Sequence, residues 1–160
     1  MQKKIYDLLI IGSGPAGIQA ALQSAQLGKK VAIIEMHPER LGGAWLHTGT
    51  IPSKTLREVL AAIGSIRSHV GSQWVNRLTN SLSSASLALR ARTAALDEEA
   101  LVKDQLKAAN VEIIIGRASL ESSESVRVNR PDQPSLVLST RFILLATGSK
   151  PRRPAEIPFD

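Results

Sequence analysis

The chain has 160 residues, 43% of them hydrophobic and 21% charged, with no cysteine and a net charge of +6. That is the size of one domain, able to bury roughly 70% of its unfolded surface and too apolar for intrinsic disorder. Apolar runs as short as Leu8-Leu9-Ile10-Ile11 exclude a membrane-spanning helix, and basic residues scattered as Lys3-Lys4, Lys29-Lys30 and Arg152-Arg153 among few aromatics make no nucleic-acid platform. No membrane and no nucleic acid are expected as partners. Lys3 and Lys4 precede the apolar run as in a signal peptide, but Asp7 interrupts it and glycines follow, so a cytoplasmic location is the default expectation.

In chain order, Ile5 to Ile11 reads as a strand covered on both faces. A glycine-rich turn follows, then a helix over Ala16 to Leu27 with Ile18, Ala21, Leu22 and Ala25 on one face and Gly28 as its stop. Val31-Ala32-Ile33-Ile34 is a second buried strand ending at Glu35, which completes a βαβ unit. Thr55 to about His69 reads as helix, and Val70 to Ser86, rich in Ser, Gly and Asn, gives no clear pattern. Ala88 to Ala109 is predicted helical from its Ala, Leu, Arg, Glu and Lys content, with Asn110 placed to end it. Val111 to Ile115 is a third strand. Short apolar segments from Ala118 to Val137, turning at Arg130-Pro131-Asp132-Gln133-Pro134, suggest a β-meander, and Arg141 to Leu145 is expected as one more buried strand.

Gly12-Ser13-Gly14-Pro15-Ala16-Gly17 matches G-x-G-x-x-G, weak alone but here following a strand, opening a helix and succeeded by an acid at the end of the next strand. Each glycine has a physical task. Gly12 permits the tight turn, Gly14 removes the side chain that would block a pyrophosphate, and Gly17 lets helix and strand approach. The helix start offers unpaired N–H groups and a positive dipole end to the phosphates. Glu35 is placed to accept hydrogen bonds from a ribose hydroxyl pair and to repel a 2′-phosphate, which favours FAD or NAD over NADP.

A second motif, Gly42-Gly43-Ala44-Trp45-Leu46-His47-Thr48-Gly49-Thr50-Ile51-Pro52-Ser53-Lys54, and a third, Ala146-Thr147-Gly148-Ser149, follow the fingerprint. In this order and spacing the chain resembles the N-terminal FAD domain of the pyridine nucleotide-disulfide oxidoreductases over nearly its whole length. The redox loop of that family reads G-G-x-C-x-x-x-x-C-x-P-S-K. Trp45 and Thr50 stand here at the two sulfur positions, so dithiol chemistry is excluded while the flavin scaffold is retained. Within the family the chain is most similar to the soluble (Si-specific) NAD(P)⁺ transhydrogenase branch, through His47, Gly49 and Thr50 before Ile51-Pro52-Ser53-Lys54. Trp45 departs from that branch, which usually keeps the first cysteine.

The resemblance implies an α/β, Rossmann-like FAD-binding domain, a parallel sheet flanked by helices with a small β-meander, truncated relative to the family. It assigns the FAD pyrophosphate to Gly12, Ser13, Gly14, Pro15, Ala16 and Gly17, and the adenosine ribose to Glu35. It brings Gly43 and Ala44 close to the phosphates and ribityl chain, although many relatives have a hydroxyl residue at the Ala44 position. Ala118 would offer backbone groups to the adenine, Ala146, Thr147 and Gly148 would line the cofactor, and Lys54 would approach the flavin N5 edge as the catalytic group. A flavin receiving hydride gains negative charge, and a fixed ammonium eases that reduction. The bland alternative for Lys54 is a surface lysine near a helix start, where the dipole disfavours it. Thr50 either hydrogen-bonds the flavin region or satisfies nearby backbone. Trp45 is read as filling the volume of the disulfide, and His47 as closing a hydrogen-bond network. No metal site is expected, since His37 and His69 have no ligand-like spacing with His47.

Residues 1–149 are thus expected to form the N-terminal part of an FAD-binding domain, with 150–160 a linker toward an absent nicotinamide-binding domain that would hold NAD(P). The expected partners are FAD and missing C-terminal domains or a second chain, with a homodimer for the complete protein. A fragment, half of a split enzyme and a free-standing remnant all remain open, and the isolated chain is expected to be inactive. The function implied for the whole is hydride transfer between NADPH and NAD⁺ through FAD without a redox disulfide. Alternatives are another FAD-dependent NAD(P)H reductase or oxidase, or a non-catalytic flavin-binding subunit.

Overall fold

The computed structural model describes residues 5–70, 83–131 and 133–158. Strand β1 (Ile5–Ile11) lies between β2 (Val31–Glu35) and β6 (Leu136–Leu145) and is parallel to both, and β2 pairs in parallel with β3 (Glu112–Ile115). Strands β4 (Arg117–Ser122) and β5 (Ser125–Asn129) extend the six-stranded sheet in antiparallel fashion, giving the order β3-β2-β1-β6-β5-β4. Among the described residues the α-helices are α1 (Pro15–Gln26), a single turn α2 (Ala44–His47), α3 (Thr50–Val70) and α4 (Ser84–Ala108).

Because successive side chains of a strand point to opposite faces, the continuous apolar runs divide into two cores. Ile10, Val31 and Ile33 meet Ile18 and Ala21 of α1 and Val102 and Leu106 of α4 on one face. Leu9, Ala32, Ile34 and Ile114 meet Val126, Val128 and Leu138 from the meander on the other. The parallel strands are therefore covered by helices on one side and by β-structure on the other.

The helix ends follow local chemistry. Beyond α1, Lys29 N–H donates to Ser24 O at 3.1 Å and Gly28 N–H to Ala25 O at 2.9 Å, the paired bonds of a Schellman motif. Asn110, at φ 56°, closes α4 in the same way, with Val111 N–H on Leu106 O at 2.9 Å. At the start of α4 the Ser83 hydroxyl accepts from Ser86 N–H and the Ser86 hydroxyl from Ser83 N–H, each at 3.1 Å. This capping box begins the helix inside a serine-rich stretch that periodicity leaves unread. Residues 71–82 of that stretch lie outside the described residues.

Three expectations are corrected. Helix α3 starts at Thr50 and not Thr55, because Pro52 falls in the first turn, where its missing N–H costs nothing. The last segment of the meander and the strand expected over Arg141 to Leu145 are one ten-residue strand, β6. That strand is not buried at its C-terminal end, where Phe142 is 66% exposed and Leu145 59%. The pairing with β5 ends at Ser139, so from Arg141 onward β6 has a partner strand, among the described residues, only on the β1 side.

Tyr6, the one tyrosine of the chain, is buried at 1% exposure and donates its phenol hydrogen to Glu112 Oε2 at 2.8 Å, with the Lys30 ammonium over its ring. Burial first, and then the hydrogen bond and charge of Glu112, push the phenol well above its ordinary range.

Two outcomes test this packing. Ile33→Ala removes a fully buried side chain and should cost about 2–5 kcal/mol, whereas Phe142→Ala should cost under about 1 kcal/mol, as read from urea unfolding midpoints. For Tyr6 the folded state resists ionisation, so its contribution is complete below the ordinary tyrosine value of 10.0 and is lost as pH rises above it. Wild type should lose up to about 1.4 kcal/mol per pH unit in that range relative to Tyr6→Phe. The phenolate ultraviolet band should remain absent from the folded chain until it unfolds.

Candidate functional site

The three glycine motifs converge at the C-terminal ends of the parallel strands. Gly12 N–H donates to Ile34 O at 2.9 Å and Ala146 N–H to Ile11 O at 2.8 Å, so the loops after β1 and β6 leave the sheet side by side. Gly12 has φ 105°, and a β-carbon there would stand 2.3 Å from Ala146 O; one on Gly17 would stand 2.1 Å from Gly12 O. Only glycines permit both approaches. Gly43, at φ 71° and ψ −156°, brings the second motif against the first, with the place of its β-carbon 3.0 Å from Gly14 Cα.

Gly14 is different. Its φ is an ordinary −69°, and a β-carbon there would meet nothing within 4 Å. Among the described residues nothing crowds this position, so the turn has room there for a ligand. Gly14 is also the N-cap of α1, with Pro15 next and no side-chain cap, so the first N–H groups of the helix have no side-chain acceptor. These features fit a bound dinucleotide pyrophosphate.

Glu35 is buried at 9% exposure at the end of β2. Its Oε2 accepts from Ser13 N–H at 3.1 Å and from the Ser13 hydroxyl at 2.5 Å, and its Oε1 from His37 N–H at 2.9 Å. The Ser13 hydroxyl in turn accepts from Gly42 N–H at 3.2 Å. The main-chain carbonyl of Glu35 receives Gly116 N–H at 2.8 Å, which places Ala118, two residues on in β4, near the same corner. Ala146 is half-buried, while Thr147, Gly148, Pro15, Ala16 and Ala44 are exposed around the turn.

Thr50 and Lys54 stand on the exposed first turns of α3. Lys54 is 68% exposed, with Glu58 at 3.9 Å as a loose partner. Trp45, on α2, packs against the buried cluster that includes Ile10, Ile18, Leu41 and Leu106, and its indole N–H is buried without a partner among the described residues. His47 Nε2 lies 2.9 Å from Leu41 O and 3.6 Å from Glu99 Oε2, and Glu99 Oε1 lies 2.6 Å from Lys103 Nζ. The histidine is thus tied into a network that joins Leu41, Glu99 and Lys103. Glu99 went unremarked in the sequence, yet it falls in the stripe Ala91, Ala95, Val102, Leu106 that α4 buries, and a carboxylate in such a stripe signals a partner.

The family model described as pyridine nucleotide-disulphide oxidoreductase matches residues 6–159. The chain belongs to that family. Among curated relatives it is 37% identical over 161 residues to the soluble pyridine nucleotide transhydrogenase of Colwellia psychrerythraea and 35% identical over 158 residues to that of Mycobacterium bovis. Each alignment covers 97% of this chain and 33% of the relative, so the chain spans about a third of the length of these proteins. Among solved structures, the flavoprotein disulfide reductase RclA of Escherichia coli superposes with a TM-score of 0.75 at 26% identity, covering 97% of this chain and 31% of that one. LpdA of Mycobacterium tuberculosis superposes with a TM-score of 0.81 at 24% identity and bears on the fold alone. The Rossmann-like expectation is thereby met.

The contrast between two glycines is testable. Gly43→Ala forces a side chain into a backbone region that is essentially glycine-only and should cost about 1–3 kcal/mol. Gly14→Ala meets no clash and should leave the urea midpoint of the ligand-free chain within about 0.5 kcal/mol of wild type.

Proposed function

We propose that residues 1–149 are the N-terminal part of an FAD-binding domain, joined through 150–160 to a nicotinamide-binding domain outside this chain. We propose further that the complete protein transfers hydride between NADPH and NAD⁺ through that flavin. The observation that carries this reading is the glycine turn at the start of α1, with no side-chain cap and open space at Gly14, together with Trp45 and Thr50 at the sulfur positions of a chain that has no cysteine. Its names come from the transhydrogenase relatives, at 35–37% identity.

Bound FAD would supply the two-electron chemistry. The chain's own part is to bind and orient. The N–H groups at the start of α1, with Gly12, Gly14, Pro15, Ala16 and Gly17 shaping the turn, would hold the pyrophosphate, and the helix dipole favours its charge. Glu35 would receive the adenosine ribose, and Ala118 would face the adenine with its backbone. Gly43, Ala44, Ala146, Thr147 and Gly148 would line the remaining length of the groove. The exposed Lys54 ammonium is free to turn toward the flavin and offset negative charge there, and Thr50 can present a hydroxyl beside it. Trp45, rooted in the core, would fill the volume of the disulfide and offers no redox chemistry of its own. Pyridine nucleotides, the dimer and a cytoplasmic setting belong to the complete protein.

Two measurements check this. The complete wild-type protein should retain flavin absorption through gel filtration near an equimolar ratio, and its Gly14→Ala variant should emerge colourless although folded; a complete wild type without flavin counts against the site. In the complete protein, NADPH should reduce an NAD⁺ analogue, and Lys54→Met should slow that transfer about 10²-fold or more while FAD stays bound. Failure with both NADH and NADPH would sink the transhydrogenase reading.

A further inference from the structure

Ser13 lies inside the glycine turn with its side chain 1% exposed. Its hydroxyl proton is committed to Glu35 Oε2 at 2.5 Å, and its oxygen accepts from Gly42 N–H at 3.2 Å. One side chain therefore ties together the loop after β1, the end of β2 and the second glycine motif. The carboxylate of Glu35 has about four acceptor positions. Ser13 N–H and Oγ occupy both on Oε2, and His37 N–H occupies one on Oε1. Among the described residues no donor takes the remaining position, on Oε1.

We infer that Ser13 is a positioning residue, contributing its hydroxyl to the shape of the site and not to the phosphates, and that the carboxylate it pins takes one adenosine ribose hydroxyl where two are available. This rests on the FAD reading above and deepens it. Without the Ser13 hydroxyl, Oε2 loses its strongest donor, the carboxylate regains freedom to turn, and the buried Gly42 N–H loses its acceptor. Preorganisation of the ribose contact and of the Gly42-Gly43 loop would be lost together.

The test compares FAD with its 2′-deoxyadenosine and 3′-deoxyadenosine forms on the 160-residue chain, by flavin fluorescence. In wild type one deoxy form should bind about tenfold more weakly than FAD and the other within about twofold. In Ser13→Ala that discrimination should collapse to within about twofold of unity, with Ser13→Cys, near in size but a poor donor, as the second variant. Equal weakening of both deoxy forms in wild type overturns the single-hydroxyl assignment. Ser13 variants that lose the same factor for all three ligands overturn the positioning role. A ligand-free check separates this from the FAD reading: urea midpoints of Ser13→Ala, Glu35→Met and the double variant should be non-additive. Binding of none of the three flavins by wild type would count against the FAD site itself, and additive midpoints would overturn the Ser13–Glu35 tie whatever the flavins do.

Discussion

Between Gly12 and the carbonyl of Ala146 there is no room for a methyl group, and the arrangement of the site depends on that contact. It exists because β1 is central, parallel to β2 on one side and to β6 on the other, so the loops leaving β1 and β6 depart from the same edge of the sheet. Backbone then packs on backbone: Gly17 on Gly12, Gly43 on Gly14, and the chain after β6 on the turn itself. Close backbone approach shapes the groove, and the Ser13 and Glu35 side chains tie its loops together.

Much of this was legible in the sequence because the signals agreed at several levels. Ile5 to Ile11, the fingerprint, the amphipathic run of α1 and Val31 to Glu35 each point to the same βαβ unit, and the structure forms it. That the Gly42-Gly43 and Ala146-Thr147-Gly148 loops join the first turn came from the family resemblance and not from spacing. Less visible were features set by partners distant along the chain. The exposure of Phe142 and Leu145 depends on where β5 stops beside β6, and hydrophobicity carries no trace of that length. The Ser13 tie to Glu35 and Gly42 was hidden because serine is unremarkable in a turn. Its meaning comes from burial. Glu99 could have been found, since an acid within a core-facing helical stripe asks for a counterpart, and His47 and Lys103 provide it.

The segment from Gly42 to Lys54 is held together without a disulfide. Gly42 and Gly43 have positive φ, α2 and α3 follow, and Trp45 turns its ring into the cluster shared by α1, α4 and β1. An aromatic side chain of that size adds apolar contact, and the His47, Glu99 and Lys103 network holds the same turn from the α4 side. Packing and charge together secure the loop.

Glu35 belongs at once to a strand, a turn and two loops: its side chain holds Ser13 and the chain at His37, and its carbonyl holds Gly116. In evolutionary terms such a residue is entrenched. Exchange of this acid alone would strip Ser13 of its acceptor and slacken the Gly42 loop, so the first step away is penalised within the fold itself. Exchange of Ser13 first releases the same tie, and Gly42, at φ 96° with Leu46 against the place of its β-carbon, resists any side chain, so the three positions constrain one another.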